Sequence, residues 1–228
     1  MTKNQTRFGS FSSTGDAPKI TRWWWVRHAP VINGGGRLYG QEDLDCDVSE
    51  TPYYDALAKH LPEDAVWVVT NLKRTTKTAT AIREAGLSGP VAEEYIIEPD
   101  LAEQYFGDWQ GLTWAEMEAL DQSAYTEFWK DPTGNAPPGG ESFAAVIERC
   151  KSPIARLIEQ HAGKDIICVA HGGSIRAAIA LALELGHERA LSLSIDNLSL
   201  TQLDHIEGGT LNGNGKTWRV GGINMPIR

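Results

Sequence analysis

Short apolar runs alternate with stretches of helical periodicity along most of the 228 residues. Ile20 to Val26 contains Trp23, Trp24 and Trp25 and closes on Arg27-His28, the pattern of a buried strand that ends at a polar site. Ala65 to Val69 and Asp165 to Ala170 read as two more buried strands, and Val91 to Ile97 as another. Leu198 to Leu203 and Thr217 to Val220 read as late strands joined by a polar turn, Gly208 to Gly215. Between them lie the helices. Pro52 to Leu61 predicts a short one with Pro at its first position. A second runs through Ala79 to Ala85, capped by Asn71 or Thr70 and stopped by Gly86. Two shorter pieces are expected around Thr113 to Leu120 and Ser123 to Trp129. From Glu141 to His161, Phe143, Val146, Ile147, Ile154, Leu157 and Ile158 share one helical face, with Pro153 expected to bend or interrupt the helix. Gly172-Gly173 opens a last helix through Leu185.

Strands that alternate with helices predict an α/β fold, a three-layer sandwich whose mostly parallel central sheet carries helices on both faces. The length suits one domain, here 20–228, with a helical insertion around 107–140. Residues 1–19 are polar and rich in Ser, Thr and Gly, lack the apolar stretch of a signal peptide, and read as a flexible leader. No window approaches the ~18 consecutive apolar residues of a membrane span.

The formal net charge is −9. It argues against nucleic acid or an anionic membrane as the main partner, because both attract a basic surface. A small anionic ligand stays open, since it needs only a local cluster of arginines and histidines. Cys46, Cys150 and Cys168 are far apart and odd in number, which suits a reduced, cytoplasmic chain better than a disulfide framework.

In parallel sheets, ligands sit beyond the carboxyl ends of the strands. Three polar groups are expected at that edge. Arg27-His28 follows the first strand, Thr70 to Arg74 the second, and His171-Gly172 the strand ending at Ala170. The glycine pair lets backbone N–H groups approach a ligand, and a helix N-terminus favours an anion. Arg74 stands in a first helical turn, where a cation is unfavourable unless something anionic offsets it. No close HxH or HExxH spacing suggests a metal centre.

These residues carry a resemblance. Val26-Arg27-His28-Ala29-Pro30 resembles the Arg-His-Gly signature of the histidine phosphatase superfamily, which includes the phosphoglycerate mutases. Thr70 to Ala79 is similar to its Ser-x-Leu-x-Arg-x-x-x-Thr-Ala motif, and Leu101 to Gly111 to its acid motif, Leu-x-Glu-x-x-Phe-Gly-x-Trp-Glu-Gly. Pro138-Gly139-Gly140-Glu141-Ser142 and His171 to Arg176 complete a set of five in the family's order, over roughly Trp23 to Leu203. The α-ribazole phosphatase-like phosphatases are the members it resembles most. The resemblance implies a phosphoglycerate mutase-like fold and a small phosphomonoester as substrate, with no cofactor and no metal. It makes His28 the transiently phosphorylated nucleophile and Glu103 the proton donor. Arg27, Arg74, His171 and Gly172 become phosphate ligands, with Asn33 near the position of the family's phosphate-loop Asn. Ala29 replaces the usual Gly, so its backbone must avoid positive φ.

The segments that mark phosphoglycerate mutases are absent, which favours phosphatase over mutase. A non-catalytic phospho-ligand module is the other alternative, and retention of both His28 and Glu103 argues against it. Tyr105, Phe106, Trp109, Trp114, Phe128 and Trp129 are expected to form either a core for the insertion or the wall of a substrate pocket. Oligomeric state is not legible.

Overall fold

The computed structural model describes residues 18–32, 34–209 and 217–227. Its strands, in chain order, are β1 (Ile20–Arg27), β2 (Arg37–Leu38), β3 (Ala65–Val69), β4 (Ile96–Ile97), β5 (Leu112–Thr113), β6 (Asp165–Ala170), β7 (Leu200–Ile206) and β8 (Trp218–Met225). The helices are α1 (Thr51–His60), α2 (Lys73–Glu84), α3 (Trp114–Leu120), α4 (Gln122–Lys130), α5 (Phe143–Gln160), α6 (Gly172–Leu183) and α7 (His187–Leu191). Six strands form one sheet in the order β4-β3-β6-β1-β7-β8, while β2 and β5 pair separately. β4, β3, β6 and β1 are mutually parallel; β7 and β8 add two antiparallel strands at one side.

The sheet is buried on both faces, which is why its central strands are apolar without alternation. Trp23 and Trp25 of β1 turn to one face and pack with Ile166 and Cys168 of β6, Phe143, Val146 and Leu157 of α5, and Ile175 and Ile179 of α6. Val26 turns to the other, with Trp67 and Val69 of β3, Ile167 and Val169 of β6, Tyr54 and Leu57 of α1, and Ala79 and Ile82 of α2. The sheet is thus the middle of three layers, as expected.

Register aligns the strand ends. Arg27 lies beside Ala170 and Val69 beside Val169. The next residues, His28, Thr70 and His171, therefore leave the sheet at one edge.

Three local expectations are corrected. Val91 to Ile97 is not one strand: Ala92–Glu94 makes a single 3₁₀ turn, and only Ile96–Ile97 pairs with β3. The exposed Glu93-Glu94 pair breaks the apolar run. Helix α2 begins at Lys73 after Leu72, and Asn71 does not cap it. Its first amide, Lys73 N–H, donates to Asp43 Oδ1 at 2.7 Å instead. Thr70 does not cap it either: its Oγ1 accepts from Leu72 N–H, ahead of the helix, at 3.3 Å. Pro153 does not interrupt α5, because residues on both sides of it are anchored in one core. Helix α7 and the β2–β5 pair, too short for periodicity to register, were not anticipated.

The six aromatics named for the insertion divide. Trp109 and Phe128 are buried with Met117, ring centroids 5.1 Å apart in an edge-to-face contact, and Phe106 packs partly against them. Tyr105, Trp114 and Trp129 stay exposed. Most of the leader, the body of the 208–215 turn and Asn33 lie outside the described residues.

Candidate active site

His28 is the first residue beyond β1 and is wholly buried. Its backbone N–H donates to Ala170 O at 3.0 Å, and its carbonyl accepts from Asn197 Nδ2 at 2.7 Å. The ring is set by Nδ1, which lies 2.7 Å from Ala29 O. A carbonyl oxygen only accepts, so Nδ1 carries the hydrogen and Nε2 holds the lone pair. Nε2 has no partner. Burial, then the Arg74 charge, and to a smaller extent Arg27, lower the pKa of His28 to about 3 against a hydrogen bond that raises it. The ring is therefore a neutral base at any moderate pH. Ala29, behind it, keeps a negative φ and donates to Thr78 Oγ1 at 2.9 Å.

His171, the first residue beyond β6, faces His28 with ring centroids 5.1 Å apart. Its Nε2 lies 2.9 Å from Thr70 Oγ1, and its Nδ1 is unpartnered. Burial and the neighbouring His28 and Arg74 hold its pKa well below the ordinary value, so it too is neutral in the free site. Arg74 is buried in the first turn of α2. Its Nη1 and Nη2 donate to Glu42 O and Gly40 O, each at 2.7 Å, and the Tyr39 ring lies over the guanidinium at 5.2 Å. Its Nε is left without a partner. Arg27 ends β1, donates from Nη1 to Ile195 O at 2.6 Å, and also has an unpartnered Nε. Four buried nitrogens, one each from Arg27, His28, Arg74 and His171, are thus unsatisfied around one strand edge. Buried polar atoms are almost always paired, and two unpaired guanidinium N–H donors converging on one edge suit an anionic ligand, with the His28 lone pair beside it.

Glu103 follows a 3₁₀ turn, Pro99–Leu101, and reaches the N-terminus of α6. Its Oε1 accepts from Gly173 N–H at 3.0 Å and from Gln104 N–H at 2.9 Å. This corrects one expectation about the glycine pair: the Gly173 amide is occupied by Glu103. Gly172 does lie among the charged groups. A Cβ built on it would stand 3.1 Å from Arg176 Nη1 and 3.8 Å from both Arg27 Nε and Glu103 Oε2. At Gly173 a Cβ would overlap Glu103 Oε1 at 2.1 Å, so only glycine allows the carboxylate to approach.

The structure brings together His28, His171, Arg27, Arg74, Glu103 and Gly172; Asn33 lies outside the described residues. Sequence reasoning missed the residues that hold them. Thr70 is the partner of His171, the loop from Tyr39 to Glu42 locks Arg74, and Asn197 anchors the His28 carbonyl. Only Thr70 carried a signal, as the first residue of its motif at a strand end. Among the described residues, no group of three His, Cys, Asp or Glu is placed to hold a metal ion. None of their helices is long and apolar enough to cross a membrane.

Comparison with known proteins agrees with this geometry. The family model of the histidine phosphatase superfamily, branch 1, matches residues 23–212. The chain is 31% identical over 164 residues to a metal-independent phosphoserine phosphatase of Arabidopsis thaliana, covering 70% of this chain and 67% of that protein. It is 34% identical over 181 residues to a glucosyl-3-phosphoglycerate phosphatase of Mycolicibacterium vanbaalenii, covering 73% and 76%. The native structure of a mycobacterial glucosyl-3-phosphoglycerate phosphatase superposes with a TM-score of 0.74 at 28% identity, over 91% of this chain and 100% of that one. An α-ribazole phosphatase from Shigella flexneri gives 0.74 at 24% identity over 90% and 97%, a likeness of fold. With two histidines and two arginines gathered at one strand edge and a family match spanning most of its length, the chain belongs to the histidine phosphatase superfamily, branch 1.

Proposed function

We propose that this phosphatase hydrolyses a small phosphomonoester without a metal, through a phosphohistidine at His28. One observation carries the reading: His28 Nε2 is an unpaired lone pair on a ring held neutral, its pKa lowered to about 3, beside unpaired nitrogens of Arg27, Arg74 and His171. Phosphoryl transfer needs positioning and charge stabilisation more than covalent assistance, and two guanidinium groups supply that charge.

In the first step Nε2 attacks phosphorus, the P–O bond to the leaving group breaks, and the departing oxygen takes a proton from Glu103. Oε2 is the freer oxygen of that carboxyl, since Oε1 already accepts two amides. In the second step water attacks the phosphohistidine and gives a proton back to Glu103. The P–N bond breaks, its electron pair returns to Nε2, and phosphate leaves. A bound phosphoryl dianion offsets the burial and cationic neighbours that keep His171 neutral, so the ring can present Nδ1–H to a phosphoryl oxygen while Nε2 rests on Thr70.

The relatives named above act on phosphoserine and on glucosyl-3-phosphoglycerate, and small phosphorylated metabolites of that size are the substrates to try first. The three buried, unpaired cysteines support a reducing, cytoplasmic setting, and the span of the family match supports one domain over 20–228. The test is trapping with labelled substrate under non-acidic quench. Label is expected on His28, with label and turnover both lost in His28→Ala and turnover retained in EDTA. Label that persists in His28→Ala, or activity lost to EDTA and restored by a divalent ion, overturns the proposal.

A further inference from the structure

Glu103 sits in a stretch of irregular backbone, yet a proton donor must be placed to within a fraction of an ångström. A 1 Å displacement can cost about 10²-fold in rate. The side chain that holds this stretch comes from α5. Arg149 Nη1 donates to Asp100 O at 2.6 Å, and Nη2 is shared between Ala102 O and Glu103 O, each at 2.9 Å. The guanidinium is itself gripped on its other side. Arg149 Nε and Nη2 donate to Glu141 Oε2 and Oε1 at 3.0 and 2.9 Å. Glu141 closes the circuit. Its Oε1 accepts from Tyr105 N–H at 2.8 Å, its own N–H donates to Tyr105 O at 2.9 Å, and its carbonyl accepts from Gln104 Nε2 at 2.8 Å. The backbone on both sides of Glu103 is therefore tied to one ion pair, whose two side chains are each only 20% exposed. From the opposite side, Gln41 Nε2 donates to the Glu103 carbonyl at 2.7 Å.

We infer that Arg149, oriented by Glu141, is a positioning residue for the reaction: it holds the 100–105 backbone so that the Glu103 carboxyl meets the leaving oxygen. The inference rests on the reading of Glu103 as proton donor. Neither member of the pair needs to touch substrate. The planar fork of Arg matters, because one flat group must serve three carbonyls and a carboxylate at once. A lysine ammonium has three donors but no fixed plane, and cannot reproduce that set.

The consequence is specific. Loss of the brace should act on the proton and leave the clamp on the phosphoryl oxygens in place. The experiment is single-turnover phosphorylation of His28 by an alkyl phosphate and by p-nitrophenyl phosphate, in the full chain. The variants are Arg149→Met, Arg149→Lys, Glu141→Gln and Glu103→Gln, with Arg149→Met/Glu103→Gln as the double. Arg149→Met and Arg149→Lys should slow the alkyl substrate by about 10–10²-fold and the nitrophenyl substrate far less. Glu141→Gln, which keeps an acceptor for Tyr105 N–H and leaves Arg149 its three carbonyls, should show the same bias in milder form. It also serves if the Arg149 variants do not fold. The double variant should show no greater alkyl-to-aryl bias than Glu103→Gln alone. Equal losses on both substrates in the Arg149 and Glu141 variants, or biases that multiply in the double, would overturn the inference. Failure of the underlying reading looks different: the wild-type chain then carries no label on His28, or Glu103→Gln shows no leaving-group bias.

Discussion

Glu103 and Arg74 sit on opposite sides of the same chemistry and act on different bonds. The carboxyl serves the leaving oxygen, whereas the Arg74 guanidinium serves the group that is transferred. An alkoxide is a strong base and needs a proton to leave; a nitrophenolate leaves nearly unaided. Glu103→Gln should therefore slow phosphorylation of His28 by an alkyl phosphate by ~10²–10⁴-fold and by p-nitrophenyl phosphate much less. Arg74→Ala should impair both alike. Single-turnover rates with the two substrates decide it, and equal losses in Glu103→Gln would remove its role as donor. Among the acidic residues of this region, residue type alone could not single out Glu103. The fold separates them: Glu93 and Glu94 are exposed, and Glu98 is paired with Arg156. Only Glu103 reaches α6 beside His171.

At the scale of elements, the N-terminus of α6 is the joint between acid and phosphate site. Its Gly173 amide holds the Glu103 carboxyl at 3.0 Å, and that contact depends on the missing side chain at Gly173. In an ordinary helix, Gly→Ala raises stability by up to about 1 kcal/mol. Here the added Cβ falls 2.1 Å from Glu103 Oε1, and the carboxylate must move. Gly173→Ala should keep the fold, with a Tm within a few degrees of wild type, and lose about 10–10²-fold in turnover of an alkyl phosphate. Wild-type turnover in Gly173→Ala would show that the close approach is not needed.

For the molecule as a whole, burying two neutral histidines couples the site to stability. Above pH ~6.5, the ordinary histidine value, His28 is neutral whether folded or unfolded and imposes no cost. Below it the unfolded chain binds a proton that the folded ring refuses until about pH 3. The folded state therefore loses ground as pH falls through that window, by about 1.4 kcal/mol per pH unit for one such ring. His171 acts in the same direction. Melting curves of wild type and His28→Asn between pH 8 and 4 should separate. Wild type should lose more Tm below pH 6.5, and parallel curves would show that His28 is not held neutral by the fold.

The linear pattern of residues determined the three layers and the strand edge. Continuous apolar runs such as Trp23–Val26 and Ile166–Ala170 record burial on both faces, and polar residues straight after them mark the sheet's carboxyl edge. His28 and His171 were legible for that reason, and Arg74 and Glu103 through their motifs. What only the tertiary structure decided are contacts between segments far apart in the chain. Asp43 caps α2 across 30 residues, Thr70 meets His171 across 101, and Glu103 meets Gly173 across 70. The same holds for the division of the aromatics into buried Trp109 and exposed Trp114 and Trp129. A local pattern encodes how much of an element is covered. It does not encode which distant loop covers it, because that follows from strand order and register, here β3-β6-β1, which bring the ends of separate strands side by side.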